Sequence, residues 1–273
     1  MNVYRILLFA GACLPVVPVA AQRSVIWQEK SGTWSLNVGV GASRYLGDLN
    51  ERFDLVHLQT GVVISAAITY RLTDQFSLRG DAQVYYVRGV QTNSHPAPNN
   101  LSFYSINPDV SVGLQYDLWP SQNRNHTIIP YGSAGIGLTY MTPKATYEGT
   151  DYSLAPLHTE GVAYNRLPLI LRYGVGLPLL NAYRLKGTIE GIYTHVMSDY
   201  LDDVSTVYAD RSGMTPVAAI LSDRASEIGM ALNSAGAKRG NDKRNDGYLT
   251  LSARLIYFIT TPRQRNYRRQ FNR

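Results

Sequence analysis

The chain has 273 residues, a single cysteine and a formal charge of +6. Its length suits one large all-β domain or two ordinary domains, and no window is apolar for long enough to predict a membrane-spanning helix. Tyrosine is used 20 times and glycine 23 times against only 17% charged residues, a balance that suits short strands facing two different solvents.

Residues 1–21 read as a secretory signal. Arg5 supplies the positive start, 6–21 the apolar core, and Val19-Ala20-Ala21 a small-residue cleavage site. Pro15 and Pro18 interrupt the apolar run and no charged stop follows, which favours a cleaved leader over a spanning segment. Cys13 would be the acylated residue of a lipoprotein, but Ala10-Gly11-Ala12 before it lacks the usual leucine. Cleavage removes that cysteine, so the exported chain must be held by backbone pairing and packing rather than by disulfides. It leaves 22–33 as a short periplasmic lead-in.

Eight segments then alternate with period two, the signature of strands. In WSLNVGVGAS, Trp34, Leu36, Val38 and Val40 share one face, while Ser35, Asn37, Gly39 and Gly41 share the other. The same pattern recurs in GVVISAAITYRL, FSLRGDAQVYYV, PDVSVGLQYDLW, TIIPYGSAGIGLTY, NRLPLILRYGVGL, RLKGTIEGIYTH and GYLTLSARLIYFI. Pro130 weakens the start of the fifth. A soluble sandwich also alternates, so the connections decide. They run short and long in strict turn, with RLTDQ, PSQNRNH and LLNA as the short ones, which predicts an all-β, eight-stranded antiparallel up-and-down transmembrane barrel over 34–259, with long extracellular loops. An even strand number puts both ends in the periplasm, and the expected location is the outer membrane.

Arg79, Asp81, Arg172, Lys186, Glu190 and Arg254 fall mid-segment on the polar face. Facing lipid, each basic one would cost about 2–4 kcal/mol near the midplane, so all six are expected inside. An eight-stranded barrel is only just wide enough for its own side chains, which predicts an ionic plug rather than a channel. Tyr45, Tyr70, Tyr86, Tyr116, Trp119, Tyr140 and Phe258 are expected at the bilayer interfaces.

The loop stretch DYLDDVSTVYAD (199–210) gathers four aspartates. It begins where the seventh segment leaves the membrane, so its carboxylates belong at the external rim. No metal is expected, although Asp199, Asp202 and Asp203 are weak candidates to share a calcium ion. No cofactor is expected either. The histidines His57, His95, His126, His158 and His195 are scattered, and only His195 beside Asp199 offers a geometry for acid–base work. No phosphate loop, zinc motif or hydrolase elbow is present, which points away from an enzyme. The tail 260–273 is basic, with Arg263, Arg265, Arg268, Arg269 and Arg273. Export argues against nucleic acid as its partner and leaves a periplasmic protein as the candidate.

SRYLGDLN (43–50), LHTEG (157–161), DYLDDVSTVYAD and KRGNDKRNDGY (238–248), in this order, resemble the recurring motifs of the PorG-like outer-membrane barrels of Bacteroidetes, a family that includes the barrel component of the type IX secretion system. The resemblance implies a non-enzymatic barrel, embedded in outer-membrane lipid, that meets the periplasmic ring proteins of a secretion machine. A small passive porin, an adhesin-like barrel and an outer-membrane enzyme are the alternatives. The basic tail departs from barrels that finish on a terminal aromatic.

Overall fold

The computed structural model describes residues 31–49, 59–91, 99–120, 128–181 and 184–259. The expected signal, most of the lead-in, the basic tail with its five arginines, and His57, His95 and His126 lie outside these residues.

The eight alternating segments form strands in the places that their pattern predicts. They are β1 (Trp34–Leu46), β2 (Thr60–Arg71), β3 (Phe76–Val90), β4 (Ser102–Asp117), β5 (Tyr131–Thr139), β8 (Leu169–Asn181), β9 (Leu185–Val196) and β10 (Gly247–Ile259). Each pairs antiparallel with its chain neighbour. β1 also pairs with β10, from Trp34 opposite Ile259 to Leu46 opposite Gly247, which closes the ring. Closure leaves no free sheet edge, the condition for a sheet to cross lipid. No helix among the described residues is long and apolar enough to cross a membrane.

Two small strands, β6 (Lys144–Tyr147) and β7 (Thr150–Ser153), form a hairpin in the loop between β5 and β8, with Lys144 pairing back to Tyr104. Its turn residues Glu148 and Gly149 both take positive φ, 47° and 75°, as tight hairpins require. Four-residue arms are too short to show a period, so the sequence does not announce them. The last long loop holds a short α-helix, α1 (Pro216–Ser222), capped by the Thr215 side chain, which accepts from Ala218 N, and a 3-10 turn at Ala225–Ile228.

The outer face is apolar and bare: Val40 is 61% exposed, Ile64 66% and Val175 69%. The alternate positions, Ser35, Asn37, Ser65, Thr69, Gln83, Asp109, Thr188 and Ser252, are buried in the lumen. Apolar outside and polar inside is the inverse of a soluble fold and the arrangement of outer-membrane barrels. At the short-turn end Trp34 lies 4.7 Å from Tyr70, and Phe76 4.9 Å from Tyr116, between ring centroids on the outer surface. Tyr45 and Phe258 do not join such girdles. Both belong to the inward parity of their strands and are buried, at 0% and 5% exposure.

Candidate functional site

The lumen is filled by neutral ion clusters stacked along its height. Nearest the short turns, Arg71 Nη1 meets Asp117 Oδ2 at 2.7 Å, and Gln115 donates to the other oxygen of Asp117 at 2.9 Å. At mid-height Arg79 pairs with Glu190 and, at 2.7 Å, with Asp81, while Arg254 reaches Glu190 at 2.6 Å and Asp81 at 3.1 Å. The Tyr131 hydroxyl donates to Glu190 at 3.1 Å. Gly176 makes room for that ring, because a Cβ there would collide with it. Above, Arg172 donates to Asp109 at 3.2 Å and to Gln83 at 3.0 Å, Gln83 donates to Asp109 at 2.7 Å, and Tyr248 also donates to Asp109.

Five of the six expected interior charges are therefore in these clusters. The sixth, Lys186, is half-buried on the inward face near the short-turn end. Asp109, Arg71 and Asp117 complete the pairs. Parity carries the signal for Asp109 and Asp117, which alternate with Val110, Val112, Leu114 and Tyr116. Each cluster cancels its own charge, and the void lined by Arg79, Asp81, Ser111 and Arg172 measures about 20 Å³, room for about one water. Reconstituted in a planar bilayer, the protein should show no stable unitary current. Reproducible currents that change in Arg172→Ala would contradict the filled lumen.

Towards the long loops the inward face changes character. Val63, Tyr85, Val87, Phe103, Ile170, Val196 and Tyr248 point inward there and form one buried apolar cluster with Leu49, Leu101, Met141, Leu154, Leu201, Val204 and Leu221 from the loops. The loops thus fold down as a cap with a core of its own, like that of a small soluble domain. Polarity alternates along the whole strand only if the lumen is wet or ionic throughout, and here it is not.

Polar contacts stitch this cap together, and they join the four motifs named above. The Glu160 carboxylate accepts from Ser205 N at 2.8 Å, from Thr206 N at 3.0 Å, from the Thr206 hydroxyl at 2.7 Å and from Arg239 Nη1 at 3.0 Å. Thr159 donates to Asp203, Tyr164 donates to Asp203 at 2.6 Å, and Arg239 donates to the Asp203 carbonyl at 2.5 Å. Asp48 accepts from Asn241 N at 2.5 Å. Tyr45 reaches Asp202 at 2.5 Å and Asp246 at 2.9 Å. Gly240 has no space for a side chain, since a Cβ would lie 2.7 Å from the Ser205 backbone.

The aspartates of the DYLDDVS loop are thus buried at the rim rather than solvated. Asp202 and Asp203 turn to different partners, Tyr45 and Thr159 with Tyr164, and do not converge with Asp199 on one point. Among the described residues no three acidic, histidine or cysteine side chains are grouped to hold a metal ion. Burial, with the Arg239 guanidinium opposing it, raises the Asp203 carboxyl to about 6. His195 does not pair with Asp199 as the spacing suggested. It alternates outward between Thr194 and Val196, which are buried in the lumen, whereas Asp199 is buried in the cap.

No protein-family model and no curated protein matches the chain. Among solved structures it is similar to the Neisserial surface protein A, at 14% identity and a TM-score of 0.40 over 83% of this chain and 97% of that one. It is also similar to the outer-membrane protein OprG of Pseudomonas aeruginosa, at 11% and 0.45 over 86% and 100%. A third is Ail, the attachment invasion locus protein of Yersinia pestis, at 13% and 0.38 over 83% and 99%. Such identities and scores transfer no activity, ligand or partner to this chain. The barrel assignment rests on the closed register and the apolar outer face.

Proposed function

We propose that this chain is a non-enzymatic barrel that anchors or scaffolds a protein-secretion machine of the type IX kind in the outer membrane. The observation that carries the reading is that the four motifs resembling PorG-like barrels form one hydrogen-bonded cap over a filled lumen. A plugged barrel offers no path for solutes, so its work falls to its two ends. The basic tail is the candidate handle at the periplasmic end, because arginine forks suit carboxylates on a protein partner.

Deleting residues 263–273 should leave membrane insertion intact, since β10 ends at Ile259, and should weaken co-purification of periplasmic ring proteins from detergent-solubilised envelopes. A truncated protein that inserts and still captures them removes the tail from the reading. Capture of no secretion component by the full chain overturns the reading itself. A second reading, an adhesin-like surface barrel, is favoured by Ile228, Met230 and Leu232, which stand 42–52% exposed in the last long loop.

A further inference from the structure

We infer that the loop cap is latched by a single proton shared between Asp202 and Asp246 across the Tyr45 hydroxyl, and that losing this proton as the pH rises loosens the cap from the barrel. The argument is a count of hydrogens. The Tyr45 oxygen lies 2.5 Å from Asp202 Oδ2 and 2.9 Å from Asp246 Oδ1. A phenol has one proton to donate, so it serves one carboxylate. The other can approach to hydrogen-bond distance only if it carries a proton and donates to the phenol oxygen.

Both carboxyls are sealed from water, at 1% and 0% exposure. Each also accepts a backbone N–H, Asp202 from Val204 at 2.9 Å and Asp246 from Leu201 at 3.0 Å. The latch therefore ties the end of β1 and the start of β10 to the very residues, Leu201 and Val204, that fill the apolar cluster. Gly47 completes the fit, because a Cβ there would strike both the Tyr45 hydroxyl and Asp246.

The surroundings favour holding protons. Asp199 and Asp48 face the pair as further acids, and Asp48, Glu160 and Asp242 face Asp199. The cations nearby are engaged elsewhere: Arg239 lies on Glu160 and the Asp203 carbonyl, and Lys238 and Arg244 face Asp48. Burial first, then like charge, holds Asp202 and Asp246 well above the ordinary carboxylate range. Burial, with Asp48, Glu160 and Asp242 adding to it and Ser205 opposing, raises Asp199 to about 8. The closed cap therefore binds more protons than the open one. Its advantage is complete below about pH 4, the ordinary carboxylate value, and is lost as the pH climbs through the raised values, about 6 for Asp203, about 8 for Asp199 and well above the ordinary range for the latch pair.

The test is hydrogen–deuterium exchange of the full chain in detergent between pH 5 and pH 9, corrected for intrinsic exchange and referenced to the barrel strands. Amides of 199–206 should lose protection with rising pH, by up to about tenfold per pH unit for each proton released. In Asp202→Asn the amide replaces the proton permanently: its NH2 donates to the Tyr45 oxygen while its carbonyl keeps Val204 N. That variant should keep more protection at pH 9 than the wild type, with a shallower profile whose remaining slope belongs to Asp199 and Asp203. A wild-type cap whose protection is independent of pH, or an Asp202→Asn profile equal to the wild type, would overturn the latch. Should the variant not fold, infrared spectra of Asp199→Asn, which lacks the other carboxyl raised above neutrality, decide: a protonated-carboxyl band persisting at pH 7 and fading only in alkali is expected, and its absence at pH 7 overturns the proposal.

Discussion

Glu190→Ala should lower the stability of the barrel by about 3–5 kcal/mol, the usual effect of removing one partner from a buried ion pair. Glu190 is fully buried and serves Arg79, Arg254 and Tyr131 together. Without it, two buried guanidiniums share the single Asp81 carboxylate at mid-height in the lumen, and the cluster acquires a net positive charge. Equilibrium urea titration of the protein folded into vesicles would measure the change. Glu190→Gln, which keeps the acceptor oxygen for Tyr131 but not the charge, should fall between the two. A loss below about 1 kcal/mol for the alanine variant, the range of an exposed pair, would show that the cluster is solvated and the lumen open.

Glu160→Ala should act on the cap and spare the barrel. Its carboxylate takes four donors from residues 205, 206 and 239, and removing it leaves the Arg239 side chain buried with only carbonyl oxygens. Breaking a buried pair at this cost corresponds to an increase of roughly a hundredfold to a few thousandfold in local opening. Trypsin should then cut the long loop at Arg211, Arg224 or Lys238 far faster than in the wild type, while the heat-resistant folded form of the barrel persists on gels. Unchanged cleavage would mean that the apolar cluster alone holds the cap.

The barrel was legible because two-fold alternation is written on both faces at once. Val38, Val40, Ile64 and Val110 mark the lipid side, Asn37, Ser65 and Asp109 mark the lumen, and the short turns fix the order. The interior charges follow from the same parity, which finds Arg79, Asp81, Arg172, Glu190 and Arg254. Position rather than parity misled at Tyr45 and Phe258, where an aromatic near a strand end suggested the interface although its alternation places it inside. The cap was not legible. Its apolar core joins Val63 and Ile170, which look like breaks in the alternation, to Leu201 and Val204, which look like stray residues in an acidic loop. Contacts such as Glu160 with Thr206 or Tyr45 with Asp246 span 46 and 201 positions of chain, and no local period records them. The aspartates read only as rim carboxylates for the same reason: the fold alone supplies the partners that let them be buried.

The central claim, a membrane-crossing barrel with its long loops and cap outside, is tested most directly by labelling single cysteines in intact cells with a membrane-impermeant maleimide. Gly213 in the last long loop has open space around it, and Thr73 lies in the short turn between β2 and β3, where its hydroxyl accepts from Phe76 N. Gly213→Cys should label in intact cells, and Thr73→Cys should label only after the outer membrane is permeabilised. Labelling of Thr73→Cys but not Gly213→Cys in intact cells, or of both equally, would contradict the account.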